Sequence, residues 1–178
     1  MSIPREPIPA KLVVGLFTKT TSLEEYLALD LSSRFGSIDI VSAWLPFDYT
    51  SYYEPEMGAP LYRRVFAFDK FIQQNELAKI KHTTNQIEQK YSQNGKRRVN
   101  IDPGYLLHER FVLASGKNYS HRIYIGDGIY ADLTLIYHKG RFQKLPWTYP
   151  DYADCPMLTV LERIRNKYVF ELKEKKQR

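Results

Sequence analysis

The stretch KLVVGLFTKTTSLEEYLALDLSSRFG, Lys11 to Gly36, changes its hydrophobic period part-way along, and that change decides the fold class. Lys11 to Phe17 (KLVVGLF) is a short continuous apolar run, the pattern of a strand buried on both faces. Leu23, Tyr26, Leu27, Leu31 and Phe35 then recur every three or four residues. Ser22 and Glu25 make a capping box ahead of them, and Gly36 stops the run. A buried strand leads into an amphipathic helix.

Ile38 to Leu45 (IDIVSAWL) reads as a second strand ending at Pro46, and Tyr62 to Phe68 (YRRVFAF) as a third. The segment between them, PFDYTSYYEPEMGAP, is longer than a hairpin needs, and its part DYTSYYEPEMGAP is expected to act as a lid if the C-terminal half folds over the second helix to form a cleft. A second helix lies in QQNELAKIKHTTNQIEQKYSQNG, where Leu77, Ile80, Thr84, Ile87 and Tyr91 keep helical spacing and Gly95 ends it. Arg97 to Ile101 (RRVNI) is the fourth strand. This order over about residues 11–102 is that of the ferredoxin-like split βαβ unit, with both helices on one face of an antiparallel sheet. Pro103 and Gly104 punctuate the chain. A second set of antiparallel strands then starts at Tyr105, and a helix over Met157 to Lys173 closes the chain with a stripe of Leu158, Leu161, Ile164, Tyr168 and Leu172. The tail KEKKQR is expected to be solvated and frayed. The expectation is an α+β fold forming a single domain over 1–178.

At 178 residues and 43% hydrophobic content, the chain can bury roughly 70% of its unfolded surface as one domain. Its single cysteine, Cys155, excludes an intramolecular disulfide and a thiolate zinc site, so a reducing, cytoplasmic setting is expected. The start, MSIPREPIPAKLVVGLF, fits neither a signal peptide nor a membrane span, and no membrane association is expected. A net charge of +6 favours phosphate-bearing partners. Nothing in the sequence sets an oligomeric state.

The runs YYEPEMG, NIDPGYL, VLASGK, HRIYIGDGIYADLTLIYHKG and LPWTYPDYA together resemble a prokaryotic family known as domain of unknown function 4416. The resemblance extends from about Val13 to the final helix and implies a soluble single-domain protein, with no activity to carry over. Some members of such families bear a GTP-binding label, but this chain has no GxxxxGK[ST] run to cradle phosphates.

Within the fourth of these runs a hairpin is expected around Gly126, Asp127 and Gly128. A three-residue turn pairs Ile125 with Ile129, Ile123 with Ala131 and His121 with Leu133. A two-residue turn would set Ile123 against Asp132 and mix the faces, so the three-residue turn is favoured. One face is then apolar, and the other carries Arg122, Tyr124, Tyr130, Asp132 and Thr134. That polar face is either a solvated surface or a ligand site. The loop ASGKNYSHR adds Lys117 and His121 beside Arg122, a set suited to phosphate or carboxylate oxygens. On the second helix, Lys81, Thr84, Asn85 and Glu88 share a face. Lys81, Asn85 and Glu88 would line a cleft with the hairpin if the C-terminal half folds over that helix.

The histidines His82, His108, His121 and His138 lack zinc-ligand spacing. A divalent cation such as magnesium is the cofactor that Asp102 and Asp132, with Asp127 and Asp151, would suit if folding gathered them. Cys155 has no identifiable histidine partner and reads as passive. Trp147 and Tyr149 read as anchors for a loop. Two functions are expected from these residues. The first is binding of a phosphorylated or other anionic small molecule by Lys117, His121 and Arg122, with Asp132 as metal ligand or general base. The second is RNA binding through the sheet and the basic run Lys96, Arg97 and Arg98.

Overall fold

The computed structural model describes residues 1–177, and side chains through Lys175. The elements follow in the order β1 (Ala10–Thr18), α1 (Glu24–Phe35), β2 (Ile38–Val41), β3 (Leu45–Pro46), α2 (Glu54–Met57), β4 (Tyr62–Ile72), α3 (Leu77–Lys90), β5 (Val99–Leu106), β6 (Arg110–Ser115), β7 (Arg122–Gly126), β8 (Ile129–His138), β9 (Arg141–Lys144), α4 (Pro150–Ala153) and α5 (Cys155–Gln177). All nine strands form one antiparallel sheet in the order β2-β4-β1-β5-β6-β8-β7, with β3 on the free side of β4 and β9 on β8. Every residue of β1 is buried, as its unbroken apolar run requires.

Alternation along β1 separates two layers. Leu12, Val14 and Leu16 project to one side, where Leu27 and Leu31 of α1 and Leu77, Ile80 and Ile87 of α3 complete the core. Lys11, Gly15 and Phe17 project to the other. There the buried Lys11 Nζ donates to Asp39 at 2.6 Å and to Glu171 of α5 at 2.8 Å. Met157, Leu161, Ile164 and Tyr168 anchor α5 on that side, with Tyr168 edge-on to Phe71. Both faces are therefore covered. No helix among the described residues is long and apolar enough to cross a membrane.

Several local expectations are corrected. The Ser22–Glu25 capping box does not form; a 3₁₀ turn over Thr21–Leu23 starts α1, and Tyr26 is left exposed. The capping box occurs before α3 instead, where Glu76 accepts from the Gln73 amide at 2.7 Å. The second strand breaks between Val41 and Leu45, because the Ser42 hydroxyl takes the Val65 amide at 3.0 Å in place of a ladder carbonyl. The final helix runs through Gln177 with Lys173, Glu174 and Lys175 exposed to solvent, as expected of the tail, and Arg178 lies outside the described residues.

The largest correction is at Pro103 and Gly104, which lie inside β5. β6 pairs with β5 only over Gly104–Leu106, so among the described residues the outward edge of β5 before Gly104 has no partner strand. Proline, lacking an N–H, suits that edge. At Gly104 a Cβ would stand 2.5 Å from the Val112 carbonyl oxygen, so only glycine lets β6 approach. The two residues that looked like a boundary continue the sheet from its first strands to its last.

Candidate functional site

The hairpin of β7 and β8 pairs Arg122 with Asp132, Ile123 with Ala131 and Tyr124 with Tyr130, as the alternation required. The turn itself is corrected. Asp127 and Gly128 both have positive φ, 52° and 74°, and form a two-residue turn, while Gly126 rather than Ile125 faces Ile129. A bulge between Tyr124 and Gly126 absorbs the odd residue and restores the register.

The polar face of this hairpin points inward at Arg122, Asp132 and Thr134, while Tyr124 near the turn is exposed. Arg122, Asp132 and Thr134 are 7%, 4% and 1% exposed, while Ile123 opposite them is 68% exposed. Arg122 Nε donates to Asp132 Oδ2 at 2.8 Å, Nη1 to Ser115 Oγ at 2.8 Å and to the Lys117 carbonyl at 2.9 Å, and Nη2 to Tyr149 Oη at 3.1 Å. Four of its five N–H groups are thereby engaged. His121 Nε2 lies 3.3 Å from Asp132 Oδ2, and its ring stacks on Trp147 at 5.1 Å. Trp147 in turn donates to the Leu133 carbonyl, which makes it the expected loop anchor. Lys117 Nζ sits 5.0 Å above the Tyr52 ring, and Tyr124 meets Tyr130 edge-on at 5.3 Å. The hairpin cations hold the protein's own groups.

On α3, Lys81 and Glu88 turn toward the sheet. Lys81 Nζ donates to the Ile101 carbonyl at 2.8 Å and Glu88 Oε1 accepts from the Ile101 amide at 2.6 Å. They satisfy the edge of β5 that β6 leaves open. Burial pushes the Glu88 carboxyl above its usual range, against the pull of Lys81. Asn85 is half-buried on the same helix. The hairpin does reach α3, but through His82, whose Nε2 lies 2.8 Å from the Asp127 carbonyl oxygen.

The long segment between β3 and β4 covers the ends of β1, β4 and β5. Phe47, Met57 and Leu61 pack with Phe17 in a small core of their own, with Phe17 and Phe47 stacked at 4.3 Å. Beneath it Arg63, 3% exposed, lies within 5.2 Å of the rings of Phe17, Phe47 and Tyr152. Its Nη2 is 2.9 Å from Asp151 Oδ2 and 3.6 Å from Asp102 Oδ2, and its Nη1 donates to Tyr152 Oη at 2.8 Å. Gly15 leaves this pair its room: a Cβ there would be 2.7 Å from Tyr152 Oη. Burial pushes the Asp151 carboxyl up despite Arg63, and pushes Tyr53 up to about 12 with help from Asp102. Sequence reasoning missed Arg63 as a site residue, since a single arginine on a strand gives no local signal.

Two clefts flank this segment. One, of about 310 Å³, is bordered by Asp48, Asp151, Asp154 and Met157 with Arg63 at its floor. The other, of about 370 Å³, is bordered by Lys19, Glu56, Lys96, Arg97 and Arg98. In the second, Glu56 takes Arg97 Nε at 2.8 Å and Nη2 at 2.7 Å, a two-pronged pair that holds its carboxyl below the usual range. Lys19 and Arg98 make no side-chain ion pair among the described residues, and Lys96 reaches only the Pro55 carbonyl at 3.3 Å. Lys19 carried no signal in the sequence beyond its charge.

Asp102 and Asp132 are engaged by different arginines, on strands separated by β6. Among the described residues no three His, Cys, Asp or Glu side chains gather in a way that could hold a metal ion.

A family model described as Domain of unknown function (DUF4416) matches residues 8–168. The chain belongs to this family. No curated protein and no solved structure matches it. The DUF4416 runs scattered along the sequence meet on one side of the sheet. YYEPEMG supplies Tyr53 and Glu56, NIDPGYL supplies Asn100 and Asp102, and VLASGK supplies Ser115 and Lys117. LPWTYPDYA supplies Tyr149, Asp151 and Tyr152. In this DUF4416 chain they supply partners to three buried or half-buried arginines on that side: Tyr152, Asp151 and Asp102 to Arg63, Glu56 and Asn100 to Arg97, and Ser115 and Tyr149 to Arg122.

Proposed function

We propose that this chain binds a small molecule bearing phosphate or carboxylate groups, and that the basic cleft beside α2 is the place where it binds. One observation carries this reading: four cationic side chains, Lys19, Lys96, Arg97 and Arg98, border the cleft against one carboxylate, Glu56, which Arg97 already neutralises. Unpaired lysine and arginine side chains around a concavity supply the charge-assisted donors that phosphate and carboxylate oxygens take. The hairpin set of Lys117, His121 and Arg122 is the weaker place, because Arg122 already donates to Asp132, Ser115, Lys117 and Tyr149. Glu56, held ionised, is unsuited to act as a general acid, which favours binding over catalysis in this cleft.

The strand order β2-β4-β1-β5, with α1 and α3 as the crossings, supports a ferredoxin-like reading of the first hundred residues. RNA modules on that fold stack bases on an open sheet face. Here α5 and the 47–61 segment lie on the face opposite α1 and α3, which favours the small-molecule reading over RNA. A cytoplasmic, prokaryotic setting goes with it.

A thermal-shift titration with orthophosphate, pyrophosphate, adenosine triphosphate and citrate tests the proposal. A saturable rise in Tm with at least one of them, weakened about tenfold or more in Arg98→Ala, is expected, because a charge-assisted hydrogen bond contributes about 1.5–3 kcal/mol. Equal shifts in wild type and Arg98→Ala would contradict it. Affinity for oligoribonucleotides that exceeds that for the small anions and falls steeply with salt would favour RNA instead.

A further inference from the structure

The basic cleft beside α2 offers more than charge. Thr20, Gln93 and Asn94 border it together with the cations. Gln93 and Lys96 exchange backbone hydrogen bonds at 2.9 and 3.0 Å, and Asn94 and Gly95 between them have positive φ, 53° and 72°, so this edge of the cleft is a two-residue turn. The backbone of the turn pairs with itself. The exposed carboxamides of Gln93 and Asn94 are left to the cleft.

These groups differ from the cations in what they can pair with. Lysine and arginine only donate hydrogen bonds, whereas a carboxamide or a hydroxyl both donates and accepts. An ionised phosphate brings mainly acceptors, so the oxygens of Thr20, Gln93 and Asn94 gain little from it. A sugar hydroxyl donates as well as accepts and suits all three.

The remaining wall argues against a nucleobase, which takes an aromatic face to stack on. Among the described residues no aromatic side chain borders the cleft, and its Met57 is 8% exposed and packed with Phe17, Phe47 and Leu61. The cleft's volume of about 370 Å³ is also near the lower end for small-molecule sites, roughly 300–1,000 Å³.

Building on the anion reading of this cleft, we infer that its ligand class is a phosphorylated sugar or polyol. Arg97 is committed to Glu56 and Asn100, so the phosphate falls to Lys19, Lys96 and Arg98. The hydroxyl groups pair with Gln93, Asn94 and Thr20.

Isothermal titration of the full chain with ribose 5-phosphate, glucose 6-phosphate, orthophosphate and adenosine 5′-monophosphate at matched ionic strength tests it. Both sugar phosphates should bind saturably and about tenfold or more tighter than orthophosphate, the gain from a few added hydrogen bonds. Adenosine monophosphate, which carries the same ribose phosphate, should bind no tighter than ribose 5-phosphate. Gln93→Ala combined with Asn94→Gly, the glycine keeping the positive φ of the turn, should remove the sugar preference and leave the orthophosphate affinity unchanged. Sugar phosphates no tighter than orthophosphate, a preference that survives the double variant, or a nucleotide that binds tighter than ribose 5-phosphate would each overturn this inference while the anion reading stands. Saturable binding of none of the four would overturn both.

Discussion

Arg122 and Asp132 stand directly opposite each other on neighbouring strands, both more than nine-tenths buried, with Nε donating to Oδ2 at 2.8 Å. The arginine also ties Ser115, the Lys117 carbonyl and Tyr149 to the hairpin, so it joins three segments rather than offering charge to solvent. Arg122→Ala leaves Asp132 buried without its cation. A loss of about 3 kcal/mol in unfolding free energy is expected by urea denaturation, the low end for breaking a buried pair. Unchanged stability would restore the hairpin as a place where Arg122 is free for a ligand.

Gly15 is predicted to be required by Tyr152. Gly15→Ala puts a methyl group 2.7 Å from the phenol oxygen and 3.0 Å from Arg63 Nη1, so a loss of about 1–3 kcal/mol is expected from overpacking. Tyr152→Phe removes the clashing oxygen. In a double-mutant cycle the Gly15→Ala cost should be smaller in the Tyr152→Phe background, and strictly additive costs would show that the close approach does not matter.

At the edge of β5, Glu88 and Lys81 replace a missing strand. Glu88→Ala should leave the Ile101 amide unsatisfied and cost about 1–3 kcal/mol, whereas Glu88→Gln keeps an acceptor in place and should cost less. Hydrogen exchange at the Ile101 amide separates the cases: protection should fall in Glu88→Ala and largely survive in Glu88→Gln. Equal protection in both would assign the amide another partner.

The Glu56–Arg97 contact gives α2 a pH dependence. Arg97 holds the Glu56 carboxyl below its ordinary value of 4.5, so the unfolded chain takes up this proton more readily than the native state. The resulting stabilisation is complete above the unfolded value and disappears as pH falls through the native one. Glu88 and Asp151, raised by burial, contribute with the opposite sign, so the comparison that isolates Glu56 is with Glu56→Gln. As pH falls below that ordinary value and through the lowered native one, the Tm of the wild type should fall toward that of Glu56→Gln. Parallel curves would show that the contact adds nothing. Both side chains are about one-third exposed, so solvent screening keeps the effect small.

What could be read from the chain follows from the range of each signal. The buried run of β1, the stripes of α3 and α5 and the pairing of Arg122 with Asp132 are periodic and local, and periodicity is visible in a sequence. The path of β5 through Pro103 and Gly104 was not visible, because what suits both residues is where β6 begins to pair along β5, which no local pattern announces. The inward turn of the hairpin's polar face was missed for a related reason: Ser115 and Tyr149 lie outside the hairpin, and only the fold brings them to Arg122. Of the three residues proposed on α3, Lys81 and Glu88 point to backbone groups, which no side-chain pattern can announce. The basic run Lys96–Arg98 was legible as charge, but its pairing with Glu56 and its neighbour Lys19 were not.

The most direct test of the account is an amide-resolved NMR titration of the full chain with pyrophosphate at low ionic strength. The account predicts saturable shifts centred on Lys19, Lys96, Arg97 and Arg98 and near silence at Lys117, His121 and Arg122. Shifts confined to residues 115–134, or none that saturate, would contradict it.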